Sequence, residues 1–202
     1  MNKTHIPESD QRSGINVDEV ISTGKRFGRF LRDNRQDILD VLTTYETYHV
    51  AEDEMDRTLD LVENLSENSD YFVWRIKKAV SFLPINQPLY ALACFGIIPA
   101  LMAYETYVRP PQVVWGMMNR LIEVINLKDF FPNLVISNEE RNAFIKKHTV
   151  SHTDVVIFTG NPDNAFLTQA KFGRDTLFIG NGSSHNPVII TCTADLELAI
   201  QG

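Results

Sequence analysis

In the first third of the chain, apolar positions recur at steps of three and four. Asn16 stands ahead of Val17, Val20, Ile21, Phe27, Phe30 and Leu31, and Glu19 supplies the reciprocal member of a capping box, so a helix with one buried side is predicted. Asp33 and Asn34 read as a short turn, after which Ile38, Leu39, Val41, Leu42 and Tyr45 keep helical spacing. Met55, Leu59, Val62 and Leu65 do the same in the acidic stretch 51–67, whose charges read as a solvated face. Residues 71–80 are expected to continue helically, with Lys77 and Lys78 interacting favourably with the helix dipole at its end.

From residue 80 onward, short apolar runs alternate with helical stretches of about 10 to 15 residues, the pattern of βαβ units. Strands are predicted at 80–83, 106–108, 134–136, 154–158 and 176–179, with a further run at 188–191. The intervening helices are expected at 89–103, 113–125, from Asn138 through Lys146, and from about Pro162. A last helix opens at Ala194 and Asp195 and is incomplete at Gly202, which suggests a piece of something longer. The predicted class is α/β: a Rossmann-like parallel sheet with flanking helices, preceded by N-terminal helices. Residues 1–15 read as a disordered lead-in, 16–79 as a helical segment packing on the sheet, and 80–202 as the sheet region.

Composition narrows the function. A formal charge of −7 on 202 residues argues against a sequence-independent nucleic-acid surface, which needs clustered Lys and Arg. The most apolar segment, 88–103, is shorter than the ~20 residues of a membrane span and is interrupted by Gly96 and Pro99. Cys94 and Cys192 sit in apolar surroundings without CxxC or Cys/His spacing. They read as buried structural thiols of a reduced, cytoplasmic protein, with no metal site. His148 and His152 have i, i+4 spacing, but Thr149-Val150-Ser151 form helices poorly and no third ligand is near, so they read as a solvated loop pair.

The stretch 153–165 carries the chemistry most directly. Val155 to Phe158 make a short buried strand, and Thr159-Gly160-Asn161-Pro162 break it. Asn161 is placed to cap a helix that begins at Pro162, with Asp163 in its first turn, so backbone N–H groups point out of the carboxyl end of the sheet. Open α/β sheets hold phosphates and dinucleotides there. The plain alternative is an ordinary β-turn-α connection.

Six segments then stand in one order: Pro84-Ile85-Asn86-Gln87-Pro88; the apolar helix ending Pro99-Ala100-Leu101; Arg109-Pro110-Pro111-Gln112; Phe158-Thr159-Gly160-Asn161; the Gly-rich segment 177–187; and Thr193-Ala194-Asp195-Leu196-Glu197-Leu198-Ala199. In that order they resemble the nucleotide-binding part of an aldehyde dehydrogenase, whose corresponding segments are Pro-Trp-Asn-Phe-Pro, Pro-Ala-Leu, Lys-Pro-Ser-Glu, Phe-Thr-Gly-Ser, Glu-Leu-Gly-Gly-Lys-x-Pro and Ala-Asp-Leu-Glu-x-Ala. The resemblance implies an incomplete aldehyde dehydrogenase-like fold that holds NAD or NADP through Leu83, Pro84, Ile85, Arg109, Gln112, Phe158, Gly160, Asn161 and Gly180. Asn86 is the implied catalytic residue, a side-chain donor to the oxyanion formed when a thiolate attacks an aldehyde. Such a donor typically contributes ~3 kcal/mol. The ordinary structural role of such an Asn is to bond its own turn. Arg109 replaces a ribose-binding lysine and Gln112 a ribose-binding glutamate, and both changes admit a 2′-phosphate.

The departures are equally specific. Phe178 falls about where the family has the glutamate that activates the hydrolytic water. Acylating aldehyde dehydrogenases also lack that base and pass the acyl group to coenzyme A, and their Gly-rich segment resembles 180–195. Neither Cys94 nor Cys192 matches the family's nucleophile, which lies beyond the last segment in a separate domain. The sequence therefore implies the cofactor-binding portion of an oxidoreductase acting on an aldehyde, or a catalytically silent binding or interaction module on the same scaffold. The family usually assembles as dimers or tetramers through a β-arm that this chain does not obviously contain, so the resemblance leaves a homo-oligomer open.

Overall fold

A computed structural model of the chain describes residues 13–182. The strand expected at 188–191, the helix at 194 and the lead-in residues 1–12 lie outside the described residues. Residues 13–15, expected to belong to a disordered lead-in, are instead held. Gly14 bridges Trp74 in antiparallel fashion, the Ile15 N–H donates to the Val73 carbonyl at 3.3 Å, and Ile15 is buried.

Three helices come first: α1 (Val17–Asp33), α2 (Arg35–Leu42) and α3 (Tyr48–Glu63). Asn16 caps α1 as expected, accepting the Glu19 N–H at 3.3 Å. After a 3-10 turn at Leu65–Tyr71 the chain enters β1 (Ile76–Phe82), so the helix expected through 71–80 is replaced by a strand. Lys77 and Lys78 suit a helix end by local propensity. In the structure they alternate out and in on a strand, with Lys78 opposite Glu105 of the neighbouring strand and its ammonium donating to Ser151 Oγ at 2.6 Å. Strand pairing and a polar acceptor for the buried ammonium overrode local propensity.

The apolar helix after β1 is α4 (Pro88–Leu92), a π turn (Ala93–Ile97) and α5 (Ile98–Met102). Pro99 cannot donate to the ladder, and within the π turn the Ile98 N–H bonds the Ala93 carbonyl five residues back. Gly96 lets this turn lie close on the sheet: a Cβ there would meet Leu92 Cδ1 at 2.9 Å and Val108 Cγ2 at 3.3 Å. Then come β2 (Ala103–Arg109), α6 (Trp115–Val124), α7 (Leu127–Phe130), β3 (Leu134–Ile136), α8 (Arg141–Thr149), β4 (Val155–Thr159), α9 (Pro162–Gln169) and β5 (Leu177–Asn181). Helix α8 starts two residues later than expected because Glu140, not Asn138, caps it.

All the strand pairs are parallel, in the order β3-β2-β1-β4-β5. The chain builds outward from β1 to β3, then returns to the other side of β1 for β4. The carboxyl ends of β1 and β4 therefore flank the point where strand order reverses, the position at which open α/β sheets form a crevice. Helices cover both faces. One core gathers Phe27, Leu31, Ile38, Leu42, Met55, Leu92, Met118 and Leu121 from the helices α1 to α6. The other packs Val80, Phe82, Val156 and Phe158 against Phe144 and Ile145 of α8, with the Phe82 and Phe144 rings edge-on at 5.4 Å. Burying each such side chain contributes roughly 1.5–3 kcal/mol. Among the described residues no helix is long and apolar enough to cross a membrane.

Candidate functional site at the carboxyl edge of the sheet

Register brings three turns side by side. Phe82 pairs with Arg109 on β2 and with Phe158 on β4, so the turn after β1 lies between the ends of those strands. The Leu83 N–H still donates to the Arg109 carbonyl at 3.1 Å, after which Pro84 is half-buried, Ile85 is 50% exposed, and Asn86 faces solvent. Gln87 then adopts a left-handed conformation with φ 51°, and Pro88 begins α4. Nothing in the local pattern announces this backbone, since Gln is not a residue that favours positive φ.

What holds the turn is helix α3. Arg57 Nη1 donates to Gln87 Oε1 at 3.3 Å, and its guanidinium lies over the Tyr90 ring at 4.0 Å from the centroid. Glu54, with 0% exposure, accepts the Tyr90 N–H through Oε1 at 2.8 Å. Burial, together with contact from the Glu46 carboxyl, pushes Glu54 up to about 9, against the opposing pull of the Tyr90 and Leu89 N–H groups. The acidic stretch is thus not only a solvated face. Ala51, Glu54, Met55, Thr58, Leu59 and Val62 are all buried on one side of α3, and the helical period already places Glu54 on that stripe.

On the β4 side, Gly160 has φ 150°, and a Cβ there would stand 3.3 Å from Phe158 Cε1. Its N–H donates to the Asn181 carbonyl at 3.0 Å, and so is already committed to β5. Asn161 caps α9 as expected, accepting the Asp163 N–H at 2.8 Å. Gly180, expected in a loop, lies within β5 opposite Phe158, because the β4–β5 ladder runs on to Thr159 and Asn181. Phe158 and Phe178 stack at 6.3 Å, so Phe178 presents an aromatic ring and no proton acceptor.

On the β2 side, Arg109 Nε donates to the Glu139 carbonyl at 3.0 Å. Burial pulls its guanidinium down from the ordinary value, with Glu140 opposing and Arg141 reinforcing; it stays cationic. Gln112 is exposed, at the start of a 3-10 turn. Two neighbours that sequence spacing did not single out organise this corner. Glu140 Oε2 accepts the Asn142 and Ala143 N–H groups at 2.7 and 3.2 Å, and Arg141 ties α8 to α9 by donating to Asn164 Oδ1, the Asn164 carbonyl and Thr168 Oγ1 at 3.3, 3.2 and 2.7 Å.

The histidines differ from expectation. His148 is no solvated loop residue: α8 extends to Thr149 and turns the imidazole inward against Tyr107 and Phe144, leaving it 3% exposed. His152 faces solvent beside Asp154 at 3.2 Å. Cys94 is half-buried rather than buried, and burial raises its thiol. Cys192 lies outside the described residues. Among the described residues no group of three or more His, Cys, Asp or Glu could hold a metal ion.

No protein-family model and no curated protein sequence matches the chain. Solved structures do match. Succinic semialdehyde dehydrogenase from Streptococcus pyogenes, in complex with NADP+, superposes with TM-score 0.75 at 12% identity, over 94% of this chain and 46% of that one. Proline Utilization A from Corynebacterium freiburgense gives 0.74 at 20% identity, over 95% and 21%. A point mutant of betaine aldehyde dehydrogenase from Staphylococcus aureus, in complex with NAD+, gives 0.70 at 16%, over 92% and 42%. The chain thus carries the fold of the aldehyde dehydrogenases, over less than half the length of each of these proteins.

Proposed function

We propose that this chain is the NAD(P)-binding portion of an aldehyde dehydrogenase-like oxidoreductase. The observation that carries the reading is the adjacency of the Leu83–Asn86 and Gly160–Asn161 turns at the point of strand-order reversal. Structural neighbours crystallised with NADP+ and with NAD+ support it. In this reading Leu83, Pro84 and Ile85 form one wall of the cofactor crevice, and Phe158, Gly160, Asn161 and Gly180 form the other. The bare Cα of Gly160 gives a diphosphate room to approach the backbone. Arg109 and Gln112 lie toward the adenosine ribose. Asn86 would offer its side-chain N–H to the oxyanion formed from an aldehyde on a cysteine outside this chain, and a nicotinamide dinucleotide held in the crevice would supply the hydride-accepting chemistry. With Phe178 in place of a base, transfer of the acyl group to a thiol such as coenzyme A fits better than hydrolysis. A reduced, cytoplasmic setting and assembly into a homo-oligomer go with this reading.

A catalytically silent module is the second reading, and one set of contacts favours it. Arg109 is committed to the Glu139 carbonyl, the Gly160 N–H to Asn181, and the amino end of α8 to Glu140. Fluorescence titration of the purified chain with NADH and NADPH separates the two. Saturable binding of either, weakened by Gly160→Ala, supports the first. Absence of saturation at millimolar nucleotide rejects it for this chain and leaves the module.

A further inference from the structure

The least expected feature of the molecule is a buried acid beneath the turn that carries Asn86. Glu54 is fully enclosed, yet only one of its oxygens meets a donor: Oε1 takes the Tyr90 N–H, while Oε2 has no hydrogen-bond partner. Glu46, in the bend between α2 and α3, likewise has a buried Oε1 without a partner, and its carboxyl touches that of Glu54. Two carboxyls in contact, each with a buried oxygen that lacks a partner, are satisfied by one proton shared between them. An ionised pair there would leave like charges in a low dielectric.

We propose that Glu54, through a proton shared with Glu46, is a positioning acid for the Leu83–Gln87 turn: it holds the amino end of α4, and with it the left-handed Gln87 that fixes where Asn86 stands. Arg57, one helical turn along α3, completes the hold through Gln87 Oε1 and the Tyr90 ring. Among the described residues the groups that act on Glu54 are the Glu46 carboxyl from the bend and the Tyr90 and Leu89 N–H groups from α4. The first raises its proton affinity and the other two lower it. Burial dominates and keeps it neutral at pH 7, with the change to the charged form near about 9. When the proton leaves, the Tyr90 N–H meets a stronger acceptor while the two carboxyls repel each other, so Glu54 moves away from the bend and the turn it anchors shifts with it. The consequence for dinucleotide affinity rests on the function proposed above; the anchoring of the turn does not.

The test uses the ligand-free chain and then NADH. The Tyr90 amide resonance of the wild type is expected to move with pH, with a midpoint near about 9, and NADH affinity is expected to fall over the same range. Glu54→Gln keeps an acceptor for Tyr90 and supplies a donor for Glu46. Its amide resonance is expected to be flat with pH, and its NADH affinity at pH 7 to match the wild type. Glu54→Ala removes the anchor and is expected to weaken NADH about tenfold, the equivalent of one lost hydrogen bond. If Glu54→Ala does not fold, the wild type and Glu54→Gln still decide the matter. A Tyr90 resonance that does not titrate in the wild type, or that titrates identically in Glu54→Gln, overturns the proposal. Titration of Tyr90 without any NADH binding upholds the positioning acid and rejects the dinucleotide site.

Discussion

His148 allows a sharp test of the core between α8 and the sheet. The imidazole is almost wholly buried between the Tyr107 and Phe144 rings, at centroid distances of 4.4 and 4.5 Å, and its Nε2 has no hydrogen-bond partner. Burial first, then Lys78 and Lys147, push it down to about 4 from an ordinary 6.5, with Glu139 opposing weakly. A depressed histidine is stabilising as a neutral ring. That stability is fully present above the unfolded pKa of 6.5 and is lost as pH falls through the folded pKa of about 4. With these two values the loss is about 0.8 kcal/mol at pH 6 and about 2 kcal/mol at pH 5, approaching roughly 3 kcal/mol below pH 4. The matching perturbation is His148→Phe, which keeps an aromatic ring between Tyr107 and Phe144 and removes the titration. Any cost of overpacking is independent of pH. Urea unfolding of both proteins at pH 7.5, 6 and 5 then gives a stability difference that should move toward the variant by about 2 kcal/mol across the series. The carboxyl pair at Glu54 is present in both proteins and cancels. A difference constant within 0.5 kcal/mol (about the error of such fits) would refute the burial of a neutral His148.

Phe144→Ala should cost about 3–5 kcal/mol in urea unfolding, since Phe144 is fully buried and its ring meets both Phe82 and His148; a loss under about 1 kcal/mol would mean that the second core is not packed as described. Gly160→Ala forces a Cβ to 3.3 Å from Phe158 Cε1 at φ 150°, a strain of roughly 1–3 kcal/mol, measurable as a lower thermal midpoint. An unchanged midpoint would show that the turn relaxes.

The parallel sheet was legible because short apolar runs, such as Leu134–Ile136 and Val155–Thr159, alternate with periodic helices. Three of its strands were placed to within a residue or two, at 134–136, 154–158 and 176–179. Strand β1 was legible only from Val80 onward: its first residues include the two lysines, whose strand state depends on pairing with β2 and on Ser151, partners far away in sequence. The same holds for the site. Asn161 announced itself because capping is a local interaction, within reach of a sequence pattern. The helical period places Glu54 on the buried side of α3, but the partners of Glu54, Arg57 and Gln87 were not legible, because these contacts join α3 to a turn some thirty residues later and a local pattern carries no information about that distance.

Of the helices that open near the carboxyl edge of this sheet, three have first-turn N–H groups engaged by a side chain: Tyr90 by Glu54, Asn142 and Ala143 by Glu140, and Asp163 by Asn161. These caps are not equivalent toward an anion. Glu140 is a carboxylate at the amino end of α8, so a phosphate arriving there meets a fixed negative charge and must displace a charge-assisted cap. Asn161 is neutral and Glu54 stays neutral while it keeps its proton, so the dipole of α9 remains available beside the bare Cα of Gly160. The asymmetry favours a diphosphate over the β1–β4 boundary and disfavours one over β3. That is the boundary at which strand order reverses, so the electrostatics of the caps and the topology of the sheet, which arise from different parts of the sequence, both support the proposed place for the dinucleotide.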